Sequence, residues 1–121
     1  MKDKVINTLL VALGGSFGSM SRYAVSIPIL VEPLPTFIVN IIGSFILGYV
    51  STYSRNTQLK LFMGTGFCGG FTTMSTFSLE LTSLPIHFAS GYLIATLLCS
   101  FILAYLGTWL GTLMKGSHNH D

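Results

Sequence analysis

Hydrophobic and polar positions divide the chain into four long apolar runs separated by short polar or proline-rich segments. The runs extend from just after Lys4 to about Leu30, from about Pro35 to Tyr53, from about Leu59 to Leu84, and from Pro85 and His87 to near Met114. A membrane-spanning helix needs roughly 20 apolar residues, and each run is long enough to form one. The pattern therefore predicts four transmembrane helices.

Two polar features mark where these helices end. Pro28, Pro33 and Pro35 predict the first turn, because proline cannot continue a helix without losing a backbone hydrogen bond. The polar segment 54–58 predicts the loop between the second and third runs, and the polar residues after Met114 predict a frayed tail.

The composition supports an integral membrane protein. The 121 residues are 50% hydrophobic and only 8% charged, whereas a soluble domain carries about 25% charged residues. Four spans use about 80 residues and leave only short loops, so we expect one all-α domain over residues 1–121. The net charge of +2, without a cluster of basic residues, does not favour nucleic-acid binding.

The basic residues predict an orientation in the membrane. Four spans place both termini and the middle loop on one side, which then carries five basic residues: Lys2, Lys4, Arg55, Lys60 and Lys115. The other side carries at most Arg22. Because cytoplasmic segments are enriched in Lys and Arg, we expect both termini to be cytoplasmic.

The third run contains the most informative segment, residues 64–78, which holds four glycines and six hydroxyl residues. Glycine lowers helix propensity by about 1 kcal/mol relative to alanine, so this run predicts a helix broken in mid-membrane. Unwound backbone at that depth persists only where protein or an ion satisfies its polar groups, and freed carbonyls are natural Na⁺ ligands. A flexible glycine-rich kink is the simpler alternative.

Three of the four runs offer uncharged hydrogen-bond donors. Thr36 and Asn40 lie four residues apart in the second run, as do Thr96 and Ser100 in the fourth, so each pair lies on one helix face. Glu80 is an ionisable residue inside the third run, and such residues are costly in a membrane and often functional. Single donors can merely join two helices. Together, neutral donors with few acidic groups suit an anion better than a cation.

Three motifs resemble those of the Fluc (CrcB-type) fluoride channels over nearly the whole chain. They are GGSFGSMSRY at 14–23, PTFIVNIIGSFILG at 35–48 and GFCGGFTTMSTFS at 66–78. The resemblance implies a fluoride-selective channel that passively exports toxic fluoride across the plasma membrane of a microbe. It also implies an antiparallel, dual-topology-type dimer with two pores and a central structural Na⁺, held by the Gly69 and Thr72 carbonyls.

The resemblance assigns the remaining site residues by position. It implies fluoride-pore roles for Thr36, Asn40, Met74, Ser75, Thr76, Phe77, Glu80 and Ser100, and a vestibule role for Arg22. The family usually has phenylalanine where this chain has Met74. Methionine fills a similar volume but lacks the electropositive ring edge that could contact fluoride.

Several alternatives to a self-sufficient channel stay open. Small multidrug transporters have four short spans, but they use a glutamate in the first span, where this chain has Arg22 and no carboxylate after Asp3. A non-conducting subunit fits the loss of the ring at Met74. The unequal basic residues also suit a heterodimer with an oppositely oriented homologue, because an antiparallel homodimer needs one chain to insert both ways. No set of nucleophile, base and orienting group can be assembled, so we do not expect an enzyme.

Overall fold

The computed structural model describes residues 1–29, 31 and 33–119, and its regular structure is entirely helical. Side chains are described as far as Gly116. Six α-helical elements and one π-helix follow each other: α1 (Lys2–Ser26), α2 (Leu34–Tyr53), α3 (Thr57–Lys60), a π-helix (Leu61–Cys68), α4 (Gly69–Phe71), α5 (Ser75–Ser83) and α6 (Ile86–Asn119). The all-α prediction is confirmed. Leu30, the expected end of the first run, lies outside the described residues.

Helix ends follow local signals, with two corrections to the sequence prediction. Pro35 lies in the first turn of α2, where its missing N–H costs nothing. The loop after α2 is shorter than predicted, because the side chain of Asn56 accepts hydrogen bonds from the N–H groups of Gln58 (2.9 Å) and Leu59 (3.4 Å) and starts α3 early. The expected end near Met114 is also wrong, since α6 continues to Asn119.

The predicted interruption of the third run is confirmed. Residues 57–71 form its first half, α5 forms its second half, and residues 72–74 between them are not helical. Thr72 has extended backbone angles, with φ −83° and ψ 160°. We call residues 57–83 the broken helix. The π-helix in its first half was not predicted.

The close approach of glycines shows that α1 lies parallel to the first half of the broken helix. A Cβ added to Gly14 would meet the carbonyl oxygen of Phe62, and one added to Gly18 would meet that of Phe67. Residue numbers therefore increase in the same direction along both helices. Small residues let the backbones approach closely, which provides packing energy in an apolar solvent.

The other long contact joins α2 to α6, again in parallel. A Cβ on Gly107 would meet the carbonyl oxygen of Phe45, and one on Gly111 would lie 2.8 Å from that of Tyr49. Gly107 and Gly111 therefore serve the packing of α6 against α2. The broken helix lies antiparallel to α2. Gly43 of α2 approaches Thr72, whereas Leu47, one turn later in α2, approaches Gly64, which comes earlier in the broken helix.

This arrangement is an up-down-up-down bundle with its basic residues at one end. The start of α1, the link from α2 to α3 and the end of α6 lie at the same end, which therefore carries Lys2, Lys4, Arg55, Lys60 and Lys115. Arg22 lies towards the opposite end.

Among the described residues, far more large apolar side chains are exposed than are buried. The buried hydrophobic side chains are Val39, Cys68, Phe71 and Phe77, whereas large apolar residues are exposed along α1 and α6. Leu34–Tyr53 and Ile86–Gly116 are long and apolar enough to cross a membrane, with mean hydropathies of 1.7 and 2.0. Only 22% and 11% of these spans are buried, so neither resembles the core helix of a soluble protein. The chain has the surface of a protein solvated by lipid.

Candidate functional site

The break in the broken helix is held by Asn40 of α2. The Thr73 N–H donates to Asn40 Oδ1 (2.8 Å), and Asn40 Nδ2 donates to the Thr73 carbonyl oxygen (3.1 Å). One carboxamide thus satisfies both backbone polar groups of a residue that has left the helix. Unpaired backbone groups are costly in an apolar setting, so this contact stabilises the interruption.

Thr73 also caps the second half of the broken helix. Its Oγ1 accepts a hydrogen bond from the Thr76 N–H (3.3 Å) and lies 3.4 Å from the hydroxyl oxygen of Ser75. A side-chain oxygen that accepts from an N–H in the first turn of a helix satisfies one of its free donors. Thr73 therefore connects α2 to the start of α5.

A first cavity, of about 500 Å³, lies between α1, α2 and α5. Its polar wall includes Ser19, Arg22, Ser26, Thr36, Thr76 and Glu80. Among the residues that the structure describes, the buried Nε of Arg22 has no hydrogen-bond partner. A cation with an unused donor beside several hydroxyl groups makes this cavity suited to an anion.

Glu80 is not free in this cavity, because the Tyr92 hydroxyl donates to its Oε1 (3.0 Å). The ring of Tyr92 also contacts Phe77 edge to face, with centroids 5.0 Å apart and planes at 73°. Phe77 itself is only 5% exposed. Tyr92 thus joins the glutamate and the phenylalanine that sequence reasoning had named separately.

A second cavity, of about 470 Å³, lies on the other side of the break between α2, the broken helix and α6. Its wall includes Asn40, Thr65, Met74, Phe77, Thr96 and Ser100. Thr96 is 5% exposed, and its hydroxyl oxygen has no partner among the described residues. Thr73 lines both cavities, so they meet at the break.

The residues expected to hold Na⁺, Gly69 and Thr72, also line the second cavity. A Cβ added to Gly69 would find nothing within 4 Å, so the space beside it is open. Backbone carbonyl oxygens at these two positions would be neutral ligands of the kind that Na⁺ takes, and further ligands would have to come from elsewhere. The Na⁺ site stays a prediction.

The fold divides the predicted pore residues between the two cavities. Thr36, Thr76, Glu80 and the vestibule residue Arg22 line the first, whereas Asn40, Met74, Phe77 and Ser100 line the second. Ser75 lies exposed at the break, beside Thr73. Met74 is 75% exposed, so its side chain has room for a partner to cover it.

Sequence reasoning missed Tyr92 and the double contact between Asn40 and Thr73. Tyr92 could have been found, because it lies four residues before Thr96 and eight before Ser100, on the same face of α6. The Asn40 contact joins residues 33 positions apart, and no local pattern indicates it.

Comparison with known proteins shows which family this bundle represents. Residues 9–112 match the family model described as "CrcB-like protein, Camphor Resistance (CrcB)". The chain belongs to this family.

Named relatives cover nearly the whole chain. "Fluoride-specific ion channel FluC" of Chlorobium chlorochromatii is 40% identical over 129 residues, covering 96% of this chain and 100% of the relative. "Fluoride-specific ion channel FluC 2" of Bacillus cereus is 42% identical, covering 88% and 98%. "Fluoride-specific ion channel FluC 1" of Listeria innocua is 40% identical, with the same coverage of 88% and 98%. Family and apolar helices together identify a membrane protein.

Proposed function

We propose that this chain is a subunit of a fluoride-selective ion channel. The observation that carries the proposal is a pair of cavities that share Thr73, rich in hydroxyl groups and with the Asn40 amide in the second, in a chain whose relatives are named fluoride-specific ion channels. Fluoride is small and strongly hydrated, so a pore must replace its water with equally close donors. Neutral donors do so without the tight binding that a fixed cation would cause.

The proposed path begins in the first cavity. Arg22 raises the local anion concentration there, because its positive charge lies in the wall of the recess. The ion then passes the break at Thr73 and enters the second cavity, where Phe77 offers the positive edge of its ring. Movement is passive, down the fluoride gradient.

The proposed membrane arrangement follows from the charges and the bundle direction. All four helical segments cross the membrane, and the end with five basic residues faces the cytoplasm of a microbe. Fluoride that enters as neutral HF dissociates inside the cell, and the channel releases the anion through the plasma membrane.

A second subunit in antiparallel orientation completes the proposed pores. The exposed Met74 and the open space beside Gly69 both support an unfilled interface on this face. Gly69 and Thr72 of each subunit would together hold the structural Na⁺. Because the basic residues are so unequally divided, we propose that the partner is an oppositely oriented homologue, with the homodimer as the other arrangement.

Two other functions have less support. A small multidrug transporter needs a carboxylate in the first span, and α1 offers Arg22 instead. A non-conducting subunit of a heterodimeric channel remains a second candidate, because Met74 takes the place of a ring at the second cavity. Fluoride efflux by this chain without a partner homologue would exclude the non-conducting subunit.

The test is halide efflux from liposomes that contain the purified protein, alone and together with a partner homologue encoded in the same organism. We expect rapid fluoride release and negligible chloride release. Equal release of both ions, or no release under either condition, would contradict the proposal. Uptake of an aromatic cation driven by a proton gradient would favour the transporter.

A matched pair of variants tests the ring. Phe77 and Phe71 are each 5% exposed and lie in the broken helix, but only Phe77 is among the described residues that line the two cavities. Phe77→Ile and Phe71→Ile remove similar buried area. We expect Phe77→Ile to lower fluoride efflux strongly and Phe71→Ile to lower it little; equal losses would remove the ring from the mechanism.

A further inference from the structure

The oxygen and the nitrogen of the Asn40 carboxamide are both hydrogen-bonded to the backbone of Thr73. Oδ1 accepts from the Thr73 N–H at 2.8 Å, and Nδ2 donates to the Thr73 carbonyl oxygen at 3.1 Å. Asn40 is half-buried, so water competes only weakly for these bonds. Oδ1 and one N–H of the carboxamide are thus bound to backbone, and only the second N–H of Nδ2 is left for an ion in the second cavity.

The break leaves the Thr73 N–H without a hydrogen-bond acceptor in its own helix. Cys68 closes the first half of the broken helix, because its carbonyl oxygen accepts from both the Thr72 N–H (3.0 Å) and the Thr72 hydroxyl (2.8 Å). Extended backbone at Thr72 then takes the Thr73 N–H away from the helix axis. Asn40 supplies the acceptor that the interrupted helix can no longer offer.

We propose that Asn40 is a positioning residue that holds the break and thereby sets the direction of α5. This inference deepens the proposed channel function and rests on it. Asn40 holds the backbone of Thr73, the Thr73 side chain accepts from Thr76 N–H, and the helix that starts there carries Phe77. The pore donors and the ring are thus aligned by a contact that need not touch the ion.

Neighbouring packing supports the same role. Gly43 lies almost one turn after Asn40 on α2, and a Cβ added there would meet the methyl carbon of Thr72. The close approach brings the carboxamide within reach of the next residue, Thr73. Two positions of α2 that lie almost one turn apart therefore contact two successive residues of the break.

The experiment combines amide hydrogen exchange with fluoride efflux in the full chain, assembled with its partner homologue if activity requires one. The variants are Asn40→Ala, which removes both bonds, and Asn40→Gln, which keeps a neutral carboxamide but moves it one methylene group further along the side chain. Ser16→Ala is the control, since the Ser16 hydroxyl donates to the Ala12 carbonyl oxygen within α1 and Ser16 is not among the residues that line the two cavities.

We expect Asn40→Ala to speed exchange over residues 73–78 by about tenfold and to lower fluoride efflux by a similar factor. Asn40→Gln should speed exchange less, and Ser16→Ala should change neither quantity. If Asn40→Ala does not assemble, Asn40→Gln makes the same comparison with a smaller expected change.

Two results would overturn the proposal. Lower efflux with unchanged exchange over residues 73–78 would make Asn40 a direct ligand. The other result is faster exchange in Asn40→Ala with fluoride efflux within twofold of that of the unaltered protein. It would show that the contact between Asn40 and Thr73 does not position any group that conduction needs. If the unaltered channel releases no fluoride, the proposed function fails, while the exchange result still decides whether Asn40 holds the break.

Discussion

Replacing Tyr92 with phenylalanine isolates one hydrogen bond at the junction of the two cavities. The variant removes the hydroxyl that donates to Glu80 Oε1 at 3.0 Å. It keeps the ring that contacts Phe77 at 5.0 Å. Tyr92→Phe therefore separates the orientation of Glu80 from the packing of the phenylalanine.

The size of the effect follows from the setting of the bond. A hydrogen bond to a charged group contributes about 1.5–3 kcal/mol, whereas side-chain bonds between membrane helices average about 0.6 and reach about 1.7 kcal/mol. The membrane value governs here, because Glu80 can find other donors in the hydroxyl-lined first cavity. We expect a loss of about 1 kcal/mol, and thus a roughly fivefold lower fluoride efflux if the bond is needed for conduction.

The assay is fluoride efflux from liposomes at equal protein density. Tyr105→Phe is the control, since Tyr105 lies on the same helix but is 72% exposed on its outer face. If Tyr92 acts by orienting Glu80, then Tyr92→Phe should add little to any loss caused by Glu80→Ala, which removes the acceptor. Efflux from Tyr92→Phe equal to that from Tyr105→Phe would refute this reasoning.

Two further substitutions test the second cavity and the bundle. Met74→Phe should raise fluoride efflux, because Met74 is 75% exposed at the second cavity and a phenyl ring adds a positive edge there. Met74→Leu is the control. Equal efflux from the two variants would show that a ring at this position contributes nothing. Gly18→Leu should destabilise the protein by about 1–3 kcal/mol or more, since its Cβ would meet the Phe67 carbonyl oxygen. Gly91→Leu should be tolerated, because nothing lies within 4 Å of a Cβ there; thermal unfolding in detergent measures both, and equal melting temperatures would contradict the close packing.

The sequence alone was enough for the features that depend on neighbouring residues. Runs of apolar residues predicted the long helices, and the glycines and hydroxyl residues of 64–78 predicted the interruption that the structure has at 72–74. Helix formation and helix breaking are largely decided within a turn or two of the chain, so such patterns can be read directly. The family also followed from motifs in this chain, and the comparisons confirm it.

Only the tertiary structure decided which polar groups meet. It pairs α1 with the broken helix and α2 with α6, joins Tyr92 to Glu80, and uses both ends of the Asn40 carboxamide on Thr73. The Tyr92–Glu80 and Asn40–Thr73 contacts link residues 12 and 33 positions apart in different segments of the bundle. Which polar groups meet depends on how closely the small residues let neighbouring helices approach. The hydrophobic pattern within one helix does not contain that information.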